Sequence, residues 1–249
     1  MKRIEILSIA LTLAACCPQK PADPPLNGAP TRWYPAEPEW PEHAQRLEEG
    51  VKRRYSTCTT YRDRGFVVST ISVSHGLDFF DTIFVRSVGL RFRLLDERRR
   101  PRLIIWQRGT EVREWHLGNV TTHPTLRDAA AAARGTTHNM SETALLMLTG
   151  EPWLKSERAD LGPWRAMPGV VSPACGRCWM LTAGSEAHGR QFALGVDEEA
   201  FALRRLRSLT RGPEVSPGVY REYEAFVAFE PEFDVPHAPL IEELEVQPW

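Results

Sequence analysis

The chain has 249 residues, of which 42% are hydrophobic and eight are tryptophan, and this composition excludes a disordered polypeptide. The formal net charge is −1, so no overall electrostatic field attracts nucleic acid, and we expect no nucleic-acid partner. The residues that follow the first forty are numerous enough for one domain with a sizeable core.

The first sixteen residues predict a signal peptide that ends at a lipidated cysteine. Lys2 and Arg3 precede an apolar run from Ile6 to Leu13, which is much shorter than the roughly 20 residues of a membrane-spanning helix. The sequence Leu-Ala-Ala-Cys at residues 13–16 resembles the lipobox of bacterial lipoproteins, which implies acylation of Cys16 with chains such as palmitate. The alternatives are an ordinary cleaved secretory signal and an N-terminal helix.

Residues 17–39 are predicted to form a tether between this anchor and the domain at residues 40–249. The tether is rich in proline, which favours extended polyproline II structure and resists compact folding. Cys17 directly follows the lipidated position, where an aspartate would favour retention in the inner membrane. The resemblance to lipoproteins therefore implies the outer membrane, with the domain facing the periplasm.

The domain begins with an amphipathic helix and continues with short strands. Apolar residues recur every three to four positions at Trp40, Ala44, Leu47, Val51 and Tyr55, which predicts one apolar helix stripe. The period then changes to two, and the predicted strands are residues 65–73, 80–86, 90–94, 102–106 and 111–117, the last two joined by a hairpin at Arg108-Gly109. The connections are too short for crossover helices, so an antiparallel meander follows.

The middle of the chain is predicted to be helical and its last third to be a second set of strands. One helix begins at Thr125 and stops at Gly135, and another covers residues 140–148. The later strands are residues 179–182, 191–196, 201–208 and 222–229. The acidic run Asp197-Glu198-Glu199 lies between two of them and is interpreted as a hairpin loop rather than a catalytic cluster.

The cysteines favour a structural disulfide in an oxidising compartment. Cys175 and Cys178 have the spacing of a redox dithiol or of half a zinc site, but no second pair and no suitably spaced histidine accompanies them. We predict a disulfide between Cys175 and Cys178, or between Cys58 and one of them. Redox chemistry at this pair is the less favoured alternative.

No catalytic motif is found in the sequence. The seven histidines do not form a zinc-binding HExxH pair, and there is no Gly-x-Ser-x-Gly elbow, phosphate-binding loop or dinucleotide fingerprint. We therefore expect a protein that is not an enzyme, with no cofactor and no metal.

Four segments, taken in order, resemble the family of periplasmic lipoprotein carriers LolA and LolB. They are the strand pair at residues 84–93, the aromatic hairpin at residues 101–115, the short helix at residues 144–150 and the late hairpin at residues 192–206. The resemblance covers roughly residues 45 to 235. It implies an α+β fold, a curved antiparallel half-barrel whose open side is covered by helices, with an apolar cavity for acyl chains.

The resemblance implies that lipid or lipoprotein acyl chains are the ligand. The candidate cavity residues are Phe84, Leu90, Phe92, Leu94, Ile105, Trp115, Leu145 and Leu148. A filled core is the alternative role for these side chains. The chain departs from the carrier pattern in its proline-rich tether and in an insertion at residues 151–178.

Three functions remain open. An anchored lipid-binding module, closer to the membrane-bound LolB than to the diffusing LolA, is favoured. An envelope scaffold or stress sensor that binds protein partners is the alternative, and a thiol oxidoreductase or hydrolase comes last.

Overall fold

A computed structural model describes residues 41–69, 76–133, 140–150, 164–168, 178–185, 189–216 and 219–245. The predicted signal peptide, lipidation site and tether lie outside the described residues, as do Cys175 and most of the insertion at residues 151–178. The boundaries of these segments therefore stay predictions. No helix within the described ranges is long and apolar enough to cross a membrane.

One large antiparallel sheet dominates the described part of the chain. Its strands are β1 (Thr60–Ser69), β2 (Gly76–Val85), β3 (Gly89–Leu95), β4 (Pro101–Arg108), β5 (Glu111–His116), β6 (Asn119–His123), β7 (Arg165–Pro168), β8 (Cys178–Ser185), β9 (Arg190–Asp197), β10 (Ala202–Ser216), β11 (Val219–Phe229) and β12 (Glu232–Phe233). The order is β6-β5-β4-β3-β2-β1-β11-β10-β9-β8-β7, with β12 also paired to β1. The sheet is thus two meanders joined through β1 and β11.

The strict alternation in β3 defines the two faces of the sheet. Leu90, Phe92 and Leu94 are buried on one face, which we call the inner face, whereas Arg91 and Arg93 point to the opposite, outer face. This confirms the pattern predicted from the sequence. The hairpin between β4 and β5 also forms as predicted, since Arg108 pairs with Glu111 and Gly109 adopts a φ of 56°.

Four helices are described: α1 (Pro41–Thr57), α2 (Leu126–Ala132), α3 (Met140–Leu148) and α4 (His237–Glu245). The predicted stripe of α1 is buried at Ala44, Leu47, Val51 and Tyr55. The predicted start of α2 is confirmed, because the Thr125 hydroxyl caps the helix by accepting a hydrogen bond from the Asp128 N–H at 3.1 Å.

The helices lie on both sides of the sheet. Helix α1 packs against β7 and β10, α2 packs against β4, β5 and β6, and α3 contacts both α1 and α2. Side chains of α1, α2 and α3 join those of the inner face in one buried apolar cluster. Helix α4 packs on the outer face against β2 and β3, where Leu240 and Leu244 meet Ile83 and Val85.

Candidate functional site

The structure brings seven of the eight predicted cavity residues together on the inner face. All seven belong to the same buried cluster, and none exceeds 7% exposure. They are Phe84, Leu90, Phe92, Leu94, Ile105, Leu145 and Leu148. Five come from β2, β3 and β4 and two from α3, so the cluster joins the sheet to a helix.

Trp115 is not part of this cluster. Across the β4–β5 pair, Trp115 lies opposite Ile104, whereas the inner-face residue Ile105 lies opposite Glu114. Because successive strand residues alternate between faces, Trp115 belongs to the outer face. The structure therefore does not place Trp115 with the other predicted residues, since the prediction grouped it by aromatic character rather than by register.

Aromatic rings pack against one another within the inner-face cluster. The Phe80 ring centroid lies 6.2 Å from that of Phe92 and 5.5 Å from that of Phe229, so aromatic rings bridge three strands. Two clefts are described, of about 520 and 260 Å³. Neither of these two clefts is lined by a buried residue of the cluster.

Helix α3 is buried on all sides of its last turn. Leu145, Leu146, Met147 and Leu148 are consecutive, and each is at most 4% exposed. Four adjacent helix positions point in all directions around the axis, so this turn is surrounded by apolar neighbours. Helix α3 is consequently held in place mainly by apolar contacts, which are not directional.

Arg86 supplies the polar connection between the sheet and two helices. Its Nε donates to the Cys58 carbonyl oxygen at 2.9 Å, and its Nη2 donates to the carbonyl oxygens of Tyr55 at 3.3 Å and Leu148 at 3.4 Å. These acceptors lie at the carboxyl ends of α1 and α3, where carbonyl groups lack partners within the helix. Sequence reasoning missed this role, although a cation directly after an apolar strand was a usable signal.

A buried polar network lies beneath α1. The Tyr55 hydroxyl accepts a hydrogen bond from the Leu203 N–H at 3.2 Å, which ties α1 to β10. The Tyr61 hydroxyl donates to Asp63 Oδ2 at 2.8 Å, and the Glu230 N–H donates to Asp63 Oδ1 at 2.8 Å. Asp63 is fully buried, and burial raises the pKa of its carboxyl group to about 7.

A second polar pair lies on the inner face near α2. His123 Nε2 and Glu114 Oε2 are 2.8 Å apart, and both side chains are largely buried. Because the pair satisfies both groups internally, it is a structural contact of β5 and β6. No group of three or more metal-ligating side chains is placed to hold an ion in the part of the chain that the structure describes.

The described cysteines differ in state. Cys58 is a free, buried thiol that donates to the Tyr55 carbonyl oxygen at 3.2 Å, and burial raises its pKa. The predicted alternative disulfide through Cys58 is therefore wrong, because this thiol packs under α1. Cys178 is disulfide-bonded, and its partner lies outside the described residues. The pairing of Cys175 with Cys178 stays a prediction.

Among the comparisons with known proteins, the search of solved structures found proteins that are similar to this chain. No family model matches the chain, and no curated protein matches it. It is similar to the lipoprotein LppX of Mycobacterium tuberculosis, with 7% identity, a TM-score of 0.42, and coverage of 78% of this chain and 97% of that one. It is also similar to a LolA-superfamily protein of Nitrosomonas europaea, with 8% identity, a TM-score of 0.34, and coverage of 78% and 95%.

A third similar structure is that of MucB in complex with MucA(peri), with 10% identity, a TM-score of 0.42, and coverage of 82% of this chain and 60% of that one. LolA-superfamily proteins and lipoproteins are thus among the similar structures.

Proposed function

We propose that this chain is an envelope lipoprotein that binds the acyl chains of lipids or lipoproteins between the inner face of its sheet and helices α1, α2 and α3. Acylated Cys16 would anchor it in the outer membrane, and residues 17–39 would let the domain reach into the periplasm. The sheet would be curved into a half-barrel in which the helices lie across the open side.

The observation that carries this proposal is the contact between α3 and the inner face. The last turn of α3 meets its surroundings through apolar side chains only, and Arg86 provides the polar connection from β2. Displacing this turn by another apolar group costs little in polar contacts, because its buried side chains are apolar and the Arg86 hydrogen bond to the Leu148 carbonyl oxygen is the polar contact it gives up. An acyl chain supplies such an apolar group.

The energetics of the exchange favour a long chain. Each methylene group buried contributes about 0.8 kcal/mol, so several methylene groups offset the contacts that α3 gives up. No directional polar contact is needed for this binding, which agrees with the absence of a catalytic motif in the sequence. On this proposal, the packing of α3 against the inner face is the closed state, and an acyl chain opens it by displacing α3.

Binding of a fluorescent fatty acid to the full chain tests the proposal. We expect saturable binding that is competed by unlabelled palmitate and weakened by Leu145→Asp, which places a charge on the inner-face cluster. Trp115→Ala on the outer face is the matched control and should leave the affinity unchanged. Equal affinity for Leu145→Asp and Trp115→Ala, with both variants folded by circular dichroism, would contradict the proposal.

Binding of a protein segment along β6 is a second candidate. Strand β6 lies at one end of the sheet, carries neither lysine nor acidic residue nor proline, and is exposed from Asn119 to Thr122. Such an edge can accept an extended peptide as an added strand. Val120→Pro removes a backbone donor from this edge and should abolish peptide capture, while fatty-acid binding persists.

A further inference from the structure

A cleft on the outward side of α1 combines arginine side chains with an aromatic ring. It measures about 260 Å³ and lies between α1 and the turn that joins β9 to β10. Its lining includes Arg46, Glu49, Gly50, Arg53, Arg54 and Phe201. The apolar stripe of α1 faces the opposite way, and of the lining residues only Phe201 packs against the inner-face cluster among the residues that the structure describes.

The lining offers guanidinium N–H donors, some of which already have partners. Arg46 forms an ion pair with Glu198 and lies 3.0 Å from His43 Nδ1. Arg54 pairs with Asp234 at 2.9 Å and lies over the Phe233 ring. An arginine has five N–H donors, and one carboxylate engages at most two or three of them. Further donors of Arg46 and Arg54 thus remain for a second acceptor.

Arg53 has its whole guanidinium group available. It is exposed and makes no ion pair among the described residues. It lies seven residues after Arg46, two helical turns along the same side of α1, with Gly50 between them. Glu49, the acidic residue of the lining, is held by the Gln45 side-chain amide at 2.9 Å. Of the three arginines of the lining, Arg53 is thus the one without an ion pair among the described residues.

The Phe201 ring packs against the backbone of α1 at Gly50. Phe201 adopts a φ of 49°, a left-handed conformation that is costly for a bulky residue. Its ring lies directly over Gly50, where an added Cβ would come within 2.1 Å of Phe201 Cδ1. Glycine at this position allows the aromatic ring and the helix backbone to form one wall of the cleft.

We infer that this cleft binds the phosphate group of a small anionic molecule, with Arg53 as the principal ligand and with Arg46 and Arg54 contributing their remaining donors. Guanidinium groups bind phosphate oxygens through paired, charge-assisted hydrogen bonds. The volume is below the roughly 300 Å³ of pockets for drug-sized ligands, so it suits a headgroup rather than a whole lipid. The source is either a phospholipid headgroup, which rests on the proposed function, or a soluble phosphate ester.

Calorimetric titration of the full chain tests this inference with three probes: inorganic phosphate, glycerol 3-phosphate and dihexanoyl phosphatidic acid. Dihexanoylglycerol, which lacks the phosphate, is the matched control ligand. We expect Arg53→Ala to weaken binding of a phosphate-bearing probe about tenfold, because a lost charge-assisted hydrogen bond changes affinity on that scale. Arg53→Lys should restore part of the affinity, and Arg108→Ala on the β4–β5 hairpin should change nothing.

The pattern of binding identifies the source of the phosphate. Arg53-dependent binding of phosphatidic acid alone supports a lipid headgroup, and Arg53-dependent binding of glycerol 3-phosphate or phosphate supports a soluble ester. The inference is overturned if no phosphate-bearing probe binds, or if Arg53→Ala and the charge reversal Arg53→Glu both leave the affinity unchanged. If Arg53→Ala still binds fatty acid, the proposed acyl site does not depend on the phosphate site, and the two proposals are tested separately.

Discussion

Asp63 holds a carboxyl group in the interior of the protein. Its oxygens accept hydrogen bonds from the Tyr61 hydroxyl and from the Glu230 N–H, at the point where β11 gives way to β12. These bonds offset part of the cost of burying the charge, but burial still raises the pKa to about 7. The titration of Asp63 should therefore make the stability of the fold depend on pH.

The pKa of Asp63 predicts a direction for stability against pH. The folded-state pKa of about 7 lies above the unfolded value of about 3.9, so the folded protein binds the proton more tightly. The ionised carboxyl group destabilises the fold above pH 7, and this cost is relieved as the pH falls from 7 towards 4. The free energy of unfolding can be measured with urea at pH 5 and at pH 8. The Asp63 carboxyl group should make it about 3 kcal/mol higher at pH 5.

Asp63→Asn provides the control for that measurement. The neutral amide still accepts a hydrogen bond from Tyr61 or from the Glu230 N–H, but it does not titrate. We expect the variant to lose this part of the pH dependence and to approach or exceed the wild-type stability at pH 8. An unchanged difference between pH 5 and pH 8 would show that another group is responsible.

Arg86 is the residue at which stability and ligand binding should oppose each other. Arg86→Gln removes most of the hydrogen bonds to the ends of α1 and α3, so the free energy of unfolding should fall by about 1–3 kcal/mol. The closed state, with α3 on the inner face, depends on these hydrogen bonds more than a state in which α3 is displaced. Their loss therefore shifts the equilibrium towards the displaced state, and the affinity for a fatty acid should rise. Arg108→Gln is the control, and a fall in affinity for Arg86→Gln would contradict this role.

Helix α4 is the element that seals part of the outer face. Leu240 and Leu244 pack on Ile83 and Val85, and Arg91 Nη1 donates to the Glu243 carbonyl oxygen at 2.6 Å. The helix thus buries the end of β2 from the side opposite to α1. It stabilises the sheet without entering the inner-face cluster.

This arrangement predicts that α4 affects stability but not ligand binding. Leu240→Ala should lower the free energy of unfolding by about 2–4 kcal/mol, as expected for a buried leucine that leaves a cavity. The affinity for a fatty acid should stay the same. Glu242→Ala, on the exposed side of α4, is the control for the denaturant measurement. A similar fall in the free energy of unfolding in both variants would contradict the packing of Leu240 on the outer face.

Elements with a clear period could be predicted from the sequence, and those without one could not. The strands around Leu90, Phe92 and Leu94 follow from strict alternation, and α1 follows from its stripe. Strand β6 was missed because four of its five residues are exposed, so no alternation marks it. Strand β10 continues past Pro213 to Ser216 because register shifts between Arg211 and Ser216 accommodate the break.

The candidate site was predictable in composition but not in arrangement. The five strand residues of the cluster could be placed on one face because the strand period decides it, whereas the two residues of α3 were grouped with them through the family resemblance. The contacts of Arg86 with the ends of α1 and α3, and of Asp63 with the Glu230 N–H, could not be found, since they join backbone groups more than 20 residues away in the sequence. The face of Trp115 depends on the register between β4 and β5, which the sequence pattern left undetermined.

The whole molecule is proposed to work as a domain on an anchored tether. Two or three acyl chains on Cys16 would hold it stably at a membrane, and the tether would allow the domain to move away from the surface. Cys16→Ser should abolish labelling with radioactive palmitate and release the protein from the membrane fraction. Cys17→Ser is the matched control and should remain labelled, whereas labelling that follows Cys17 would contradict the assigned site.

The central claim is that an acyl chain binds between the inner face and helices α1, α2 and α3. Photocrosslinking of the full chain with a diazirine-bearing fatty acid, followed by mass spectrometry of the labelled peptides, locates the ligand directly. We expect crosslinks within β2 to β4 at inner-face residues such as Phe92, and within α3 at Leu145 to Leu148. Crosslinks confined to the outer face around Trp115, or labelling that palmitate does not compete, would contradict the claim.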